Sequence, residues 1–458
     1  MQPRTIALCG NGASAALLLV ALARFCDRPV QVIVIGTGER VGAGVAYSTA
    51  NPHHLLNTPS SRMSADLLAP AQFQDWLARQ GISSPDFADQ FVPRALYGQY
   101  LEDILGKKLP ATDGLDVRFV RDEVRDLTRE DSGWRVMFGK ESPLADLVVL
   151  ATGNDMPSPI APRYPDAAHR IIDNPWGPLP VAPEENVMVL GTGLTAIDVV
   201  ISLLDGGHRG AIYCLSRRGL VPARHVKPSP GKALARPFPS TVRKMAHALR
   251  VAAGPAPKPA DWQGAMDAMR PHWAEVWQRF PLKEKQRFLR HAMTYWSIHR
   301  HRLAPAMADR FEEAACRNVL VLKGRLARLD GRGEALDAAI DFAGERHQVR
   351  VDRVINCTGP NSDPRKGNFP LAANLIAAGH AQSGIANLGL DIDDKCRVTD
   401  GRGRPQPDLF AMGALTRGRW WEITAIPEIS RQATDIAGHL RAQLGVLDAE
   451  KRARAANS

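Results

Sequence analysis

The sequence predicts an α/β protein with two Rossmann-like dinucleotide-binding domains and a helical insertion in the second. Three observations support this fold class. A glycine-bearing turn separates an apolar strand from an Ala- and Leu-rich helix near the start of the chain, and the same arrangement recurs far downstream. Between about 220 and 317, Trp and His residues crowd into helical patterns. The length of 458 residues suits two or three domains.

The first turn has the residue types that a dinucleotide diphosphate needs. Gly10 permits the tight turn, Gly12 lets the backbone approach a pyrophosphate, and Ala15 allows close packing of helix on strand. The N-terminus of the helix then faces the phosphates. After the second strand, PVQVIVIG, come Glu39 and Arg40, and Glu39 occupies the region of a ribose-binding acid. This site is predicted to bind FAD.

The same stretch has a second interpretation as a secretion signal, because an arginine precedes an apolar run that contains small residues. A signal peptide has an unbroken apolar region, however, and Asn11 and Gly12 interrupt this one. The strand, helix and second strand that surround the turn favour the nucleotide site.

The second turn lies in NVMVLGTGLTAIDVVISLL and places Gly191, Gly193 and Ala196 between strand and helix. After the next strand, GAIYCLSRRG, the chain has Arg217 and Arg218 in the region where the first unit has its acid. Arginine pairs with a 2′-phosphate, so the second site is predicted to bind a nicotinamide cofactor, NADPH in preference to NADH. The alternative is that both arginines are only a solvated strand end.

Two further strands end in Thr-Gly, and the chain is predicted to cross between the two domains there. The first ends at Thr152 and Gly153, before a proline-rich linker, and the second ends at Thr358 and Gly359. The predicted limits are 1–180 plus 352–458 for the FAD domain and 181–351 for the NAD(P) domain, with the helical insertion at about 220–317.

Composition excludes some classes of function. The net charge of +10 is scattered without a basic tract, which argues against nucleic acid as a partner. No stretch approaches the roughly 20 apolar residues of a membrane span. The six cysteines show neither C-x-x-C nor a zinc-ligand spacing, so no metal site is expected and the cytoplasm is the predicted location.

Four stretches carry a resemblance to a known family. These are GAGVAYS with PHHLLNTPSSRMS, FVPRALYGQYL, GTGLTAIDVV and RWWEITAIPEISRQA. Together they resemble bacterial FAD/NAD(P)-binding flavoproteins related to FAD-dependent urate hydroxylase and aspartate N-monooxygenase. The resemblance implies an NAD(P)H-driven monooxygenase acting through a C4a-(hydro)peroxyflavin, with molecular oxygen and a small polar molecule as substrates.

Urate is the first substrate that the resemblance suggests. One alternative is N-hydroxylation of an amine or amino acid. Another is a flavoprotein reductase that passes electrons to a partner, which the lack of C-x-x-C weakens for a dithiol partner. The oligomeric state stays open.

The resemblance also implies roles for individual residues. Leu56, Asn57, Arg62 and Met63 fall in the segment that lies beside the flavin in such folds. Gly413 marks the turn near the end of the chain where many related flavoproteins have Gly-Asp. Here alanine follows the glycine, so an aspartate contact to the ribityl chain is absent or is replaced by backbone.

The candidate catalytic residues are Asn57 and Arg94. Asn57 is suited to hydrogen-bond the flavin edge or a peroxide oxygen, and its alternative role is to cap a loop. Arg94 and Arg62 are suited to hold a phosphate or a substrate anion, and the alternative for each is a surface salt bridge.

The candidate substrate residues lie in two places. Arg224 and His225 open the helical insertion, and Trp421 and Glu422 follow the Gly413 turn. Aromatic faces with an arginine suit a planar anion such as urate, and they suit many other planar anions equally well.

Overall fold

A computed structural model describes residues 3–82, 90–333 and 335–456. The chain divides into two compact units. The first comprises Met1–Pro52, Thr58–Asp155 and Ser362–Ser458, and the second comprises His53–Asn57 and Met156–Asn361. Each unit therefore has its own core, and the chain passes more than once between them.

The strands follow one another along the chain in numbered order. They are β1 Arg4–Cys9, β2 Val30–Gly36, β3 Leu115–Arg121, β4 Val124–Glu130, β5 Gly133–Phe138, β6 Leu144–Ala145, β7 Leu147–Leu150, β8 Ile171–Ile172, β9 Val187–Leu190, β10 Ile212–Ser216, β11 Val319–Lys323, β12 Arg325–Arg332, β13 Ala335–Phe342, β14 Glu345–Val351, β15 Arg353–Asn356, β16 Arg397–Thr399 and β17 Pro405–Ala411.

The helices range from one turn to a long C-terminal helix. They are α1 Ala13–Phe25, α2 Gly44–Tyr47, α3 Gln72–Arg79, α4 Arg94–Lys108, α5 Leu194–Asp205, α6 Val242–Ala253, α7 Pro259–Ala268, α8 Trp273–Arg279, α9 Leu282–Arg287, α10 Met293–Arg300, α11 Pro305–Ala315, α12 Pro370–Ala377 and α13 Ile426–Ala456.

The main sheet of the first unit has the order β16-β17-β7-β1-β2-β3 and is parallel except at β16. The central strands β1 and β7 are apolar because helices cover the sheet, and α1 packs against both α4 and α13. The chain runs from β1 through α1 to β2, whereas β7 lies on the other side of β1. Open α/β sheets bind ligands where the strand order reverses in this way.

The second unit repeats this design in a parallel sheet of order β11-β10-β9-β15-β8. Here β9 leads through α5 to β10, and β15 lies on the other side of β9. Each unit adds an antiparallel three-stranded sheet, β4-β5-β6 in the first and β12-β13-β14 in the second. The predicted α/β fold with two Rossmann-type domains is thus confirmed.

The domain limits in the structure differ from the predicted ones at both crossings. The prediction placed 1–180 and 352–458 in the first domain, but β8 and β15 pair inside the second sheet. The units instead change after Asp155 and after Asn361, close to the Thr-Gly turns themselves. The proline-rich linker belongs to the second unit because β8, only two residues long, completes that sheet.

The helices α6–α11 lie between β10 and β11, inside the stretch predicted as an insertion at 220–317. They have a small core of their own, in which Trp273 packs edge-on against Trp296. Trp273 and Trp277 are both buried, which fits the apolar face that their spacing gives one helix. A π-helical turn, Phe288–Ala292, interrupts this region just before α10.

Candidate functional site

The first glycine-bearing turn joins β1 to α1. Gly10 has φ +123°, and a Cβ there would come within 3.0 Å of the carbonyl oxygen of Ala151, so the fold itself requires glycine. Gly12 is different, because a Cβ there would meet only the Cα of Gly44 at 3.6 Å, an ordinary contact. The N-cap residue of α1 is Gly12, which has no side chain to cap the helix. The turn therefore presents backbone N–H groups and open space, which suits a diphosphate.

Asn11 ties this turn to the loop that follows β2. Its Nδ2 donates to the carbonyl oxygen of Gly38 at 2.7 Å, and the N–H of Gly38 lies 3.3 Å from its Oδ1. Glu39 comes next, with a side chain 78% exposed, and it pairs with Arg121 at 3.1 Å. Arg40 forms a longer ion pair, 3.4 Å, with Glu102. The predicted ribose acid is thus held at the surface beside the turn.

The second turn reproduces the first in detail. Gly191 has φ +132°, and a Cβ there would come within 3.0 Å of the carbonyl carbon and oxygen of Cys357. A Cβ at Gly193 would meet no atom within 4 Å. The N-cap residue of α5 is Gly193, which likewise has no side chain to cap the helix. Ala196 is fully buried, as is Ala15 in α1. Both turns thus combine one glycine that the fold requires with one that leaves space.

The two arginines after β10 have different surroundings. Arg218 lies over the ring of Tyr295 at 4.8 Å, and its Nη1 and Nη2 donate to the Tyr295 hydroxyl at 3.1 Å and to the carbonyl oxygen of His291 at 3.2 Å. Arg217 is exposed, and it has no aromatic or hydrogen-bonding partner of this kind within residues 3–82, 90–333 and 335–456. Sequence reasoning could not separate these adjacent arginines, because the contact comes from the insertion.

The Thr-Gly turn of the first unit lies against the first glycine turn. A Cβ on Gly10 would also meet the backbone N of Thr152 at 3.1 Å, and Gly153 has φ +75° with no neighbour within 4 Å of its missing Cβ. Thr152 and Gly153 are therefore beside the first glycine turn, and their role in cofactor binding stays a prediction.

Gly413 also lies beside the first turn of α1. It has φ +63°, and a Cβ there would come 2.9 Å from Oγ of Ser14 in the first turn of α1. Its N–H donates to Oε1 of Gln432 at 2.7 Å, and Nε2 of Gln432 donates to Oγ1 of Thr416 at 2.9 Å. The buried Gln432 fixes this turn, and the sequence analysis missed it because its partners are distant in the chain.

A short helical turn leads from Gly413 to a buried charged cluster. Trp421 and Glu422 are 3% and 7% exposed, and the guanidinium of Arg417 lies 4.3 Å from the centre of the Trp421 ring. Burial lowers the pKa of Arg417 to about 10, and the Glu422 carboxylate opposes that shift. Arg417 is another residue that the sequence analysis missed, although it stands within the same aromatic stretch.

The residues predicted beside the flavin are divided between the units. Leu56 is buried and Asn57 is half-buried, and both belong to the second unit. Their segment is anchored by His54, whose Nε2 lies 2.9 Å from the carbonyl oxygen of Asp198. Arg62, exposed, and Met63, buried, belong to the first unit.

Arg94 begins α4 in the first unit, and its charge acts on the buried Tyr47 hydroxyl. The role of Arg94 in catalysis or in binding an anion stays a prediction. In the second unit, Arg224 pairs with Asp309, and the N–H of His225 donates to the carbonyl oxygen of Leu303 at 2.8 Å. These contacts close the two ends of the insertion on each other.

Within residues 3–82, 90–333 and 335–456, no helix is long and apolar enough to cross a membrane. In the same part of the chain, no three His, Cys, Asp or Glu side chains come together as ligands for a metal ion.

Comparisons with known proteins show what this chain is similar to. Residues 7–155, about a third of the chain, match the profile of a family described as FAD-NAD(P)-binding. The match contains the first glycine turn and the Thr-Gly turn. It confirms FAD and a nicotinamide dinucleotide as the expected cofactors. No curated protein sequence matches the chain.

Solved structures that share this fold include three enzymes that oxygenate an amine or an amino acid. The cadaverine monooxygenase of desferrioxamine biosynthesis from Erwinia amylovora is 12% identical, with a TM-score of 0.67 over 95% of this chain and 93% of that one. L-lysine 6-monooxygenase from Pseudomonas syringae is 14% identical, with a TM-score of 0.66 over 96% and 100%. Ornithine hydroxylase from Pseudomonas aeruginosa is 15% identical, with a TM-score of 0.65 over 97% and 100%. At these identities the likeness establishes the fold.

Proposed function

We propose that this protein is an FAD-dependent, NADPH-using monooxygenase that hydroxylates the amino group of a small amine or amino acid. The observation that carries the proposal is the pair of equivalent glycine turns, each with open space over an uncapped helix N-terminus. Two dinucleotide sites in one chain are what a flavoenzyme reduced by a nicotinamide cofactor needs.

The residues at each turn fit the cofactor assigned to it. In the first unit, the N–H groups at the start of α1 would hold the FAD diphosphate, and Glu39 would accept from its ribose hydroxyls. In the second, α5 would hold the NADPH diphosphate, and Arg217 would pair with the 2′-phosphate. When bound, FAD supplies hydride acceptance and the activation of molecular oxygen. The chain supplies position and charge.

The N-hydroxylating activity is preferred to urate hydroxylation because of the solved structures that share the fold. The three enzymes act on cadaverine, lysine and ornithine, and the likeness to each of them extends over nearly the whole of this chain. The comparisons give no support to urate or another purine as the substrate.

The reductase alternative is weakened by the cysteines. Cys9, Cys214, Cys357 and Cys396 are buried, and burial raises the pKa of Cys9 and of Cys214 to about 12. Thiols of this kind are poor nucleophiles. No disulfide joins any pair of cysteines within the described ranges, so a dithiol relay has no structural support.

The test is oxygen consumption by FAD-loaded protein with NADPH and a panel of diamines, amino acids and urate, read together with the hydroxylamine product. We expect oxygen uptake and hydroxylamine to rise together with an amine. Oxygen uptake that only urate stimulates would favour a purine hydroxylase instead. NADPH oxidation that no compound on the panel stimulates, with electrons passed to an added acceptor, would favour the reductase.

A further inference from the structure

The stretch Arg417-Gly418-Arg419-Trp420-Trp421 contains two arginines, each stacked on a tryptophan. The guanidinium of Arg419 lies 5.8 Å from the ring of Trp420, and that of Arg417 lies 4.3 Å from the ring of Trp421. A cation over an aromatic face is attracted by the ring and keeps its plane roughly fixed. The two residues therefore start from similar arrangements.

They differ in what the guanidinium donates to. Nε of Arg419 donates to Asp394 at 3.0 Å, so its charge is neutralised at the surface. Nε of Arg417 is buried and has no hydrogen-bond acceptor among the residues that the structure describes. A buried donor without an acceptor is unfavourable, and one explanation for such a donor in a native protein is a ligand that completes it.

The edge that contains Nε is one of the guanidinium edges that bind a carboxylate through two donors. Nε and the neighbouring Nη form two parallel N–H donors, whose spacing matches the two oxygens of a carboxylate. With Trp421 against one face, Arg417 is oriented before any ligand arrives, which limits the entropy lost on binding. The buried carboxylate of Glu422 acts on the same guanidinium and keeps it charged in spite of burial.

Arg417 also lies near the predicted cofactor site within the first unit. Its N–H donates to the carbonyl oxygen of Ala414 at 3.2 Å, one residue after Gly413, and Gly413 lies against Ser14 at the start of α1. A ligand on Arg417 would thus be bound close to the turn that receives the FAD diphosphate.

We propose that Arg417 binds the carboxylate of the substrate through the Nε edge of its guanidinium, with Trp421 as the positioning residue. This inference rests on the proposed function and narrows its substrate class: the substrate is an amino acid, and the corresponding diamine is a poor ligand. The three enzymes compared above act on both kinds of substrate, so the fold alone leaves the choice open.

Calorimetric titration of the FAD-loaded protein tests this with two pairs of compounds. L-lysine and cadaverine differ only in the α-carboxylate, as do L-ornithine and 1,4-diaminobutane. We expect one amino acid at least to bind about 10- to 100-fold more tightly than its diamine, the range of a charge-assisted hydrogen-bonded pair. Arg417→Lys and Arg417→Met should remove most of that preference, because lysine lacks the two-donor edge.

Arg419→Met is the matched control, since it removes the neighbouring stacked arginine whose Nε already has an acceptor. It should leave the preference unchanged, and all variants should keep their FAD absorbance. Equal affinity within both pairs, or no binding by any of the four, would overturn the proposal. So would a preference that survives Arg417→Met. FAD loss from the Arg417 variants alone would reassign this residue to the flavin.

The binding measurement is separate from the oxygenase assay, so the two proposals can fail separately. An Arg417-dependent preference without any hydroxylated product would leave the carboxylate site standing and refute the N-hydroxylase. Hydroxylation of amines with no dependence on Arg417 would support the N-hydroxylase and refute the carboxylate site.

Discussion

The two dinucleotide turns have nearly the same backbone but different surroundings. Gly12 and Gly193, just before α1 and α5, have φ −80° and −82°, and neither helix has a side-chain cap. The first glycine of each turn has a strongly positive φ and lies against the end of a neighbouring strand. What differs is the loop after the second strand, which has an exposed acid in one unit and two arginines in the other.

The two glycines of each turn are expected to meet different requirements, one set by the fold and one by the ligand. The first glycine is fixed by the protein, because its missing side chain makes room for another part of the chain. We propose that the middle glycine is required by the ligand, because a Cβ there would meet at most an ordinary contact with protein atoms. Under the same proposal, the loop residue selects between a ribose diol and a 2′-phosphate.

The largest effect is expected from the first glycine of either turn. Gly10→Ala and Gly191→Ala should each lower the free energy of unfolding by about 2–4 kcal/mol. The added Cβ would strain a backbone with positive φ and would clash with the residue that follows the neighbouring strand of the sheet. Urea unfolding of the protein without cofactors measures this. Wild-type stability in either variant would show that the turn relaxes easily and that the stated asymmetry between the glycines is wrong.

The middle glycine should show the opposite pattern. Gly12→Val should weaken FAD binding by about 100-fold or more, since its side chain would occupy the diphosphate position. Its free energy of unfolding without cofactor should change by less than about 1 kcal/mol, because a Cβ there makes only an ordinary contact.

Gly193→Val is the partner experiment for the second turn. It should retain FAD at wild-type affinity and lose NADPH binding by a similar factor. Fluorescence titration of FAD and calorimetry of NADP⁺ read the two sites separately. A variant that loses both cofactors, or neither, contradicts the assignment of one dinucleotide to each turn.

Arg217 and Arg218 should differ in coenzyme selection. Arg217→Ala should reduce the preference for NADPH over NADH by about 10- to 100-fold, because this exposed guanidinium is available for the 2′-phosphate. Arg218→Ala should change the preference by only about threefold, since its Nη groups are engaged by Tyr295 and His291. Affinities for NADP⁺ and NAD⁺ give the ratio. A larger loss in the Arg218 variant would exchange the two roles.

Much of this fold could be predicted because it depends on local patterns. Glycine between an apolar strand and a helix is a short-range signal that indicated both turns. Thr-Gly after an apolar strand is a second such signal, and the units change close to both of these segments. The exact limits of the units were missed because β8 has only two residues and can be recognised as a strand only from its pairing with β15. Strand pairing between distant segments is not visible in one sequence.

The candidate site was predicted less completely for the same reason. Gly413, Trp421 and Glu422 were predicted from their stretch and stay predictions, whereas Arg417 became notable only because its Nε is buried without an acceptor among the described residues. Gln432 could be recognised only from its bonds to Gly413 and Thr416. Sequence patterns find backbone geometry, whereas hydrogen-bond satisfaction depends on residues that the fold brings together.

The smallest expected effect concerns the acid of the first unit, and it distinguishes a cofactor contact from a surface ion pair. Glu39→Gln should weaken FAD binding by about 5- to 10-fold, because a ribose hydroxyl would lose a charged acceptor. Arg121→Gln removes the same ion pair from the other side, and it should leave FAD affinity unchanged. Both variants should unfold like the wild type, since an exposed pair contributes about 0–1 kcal/mol. If FAD binds equally to both variants, Glu39 is only the surface partner of Arg121, and the difference between the two turns rests on the arginines of the second.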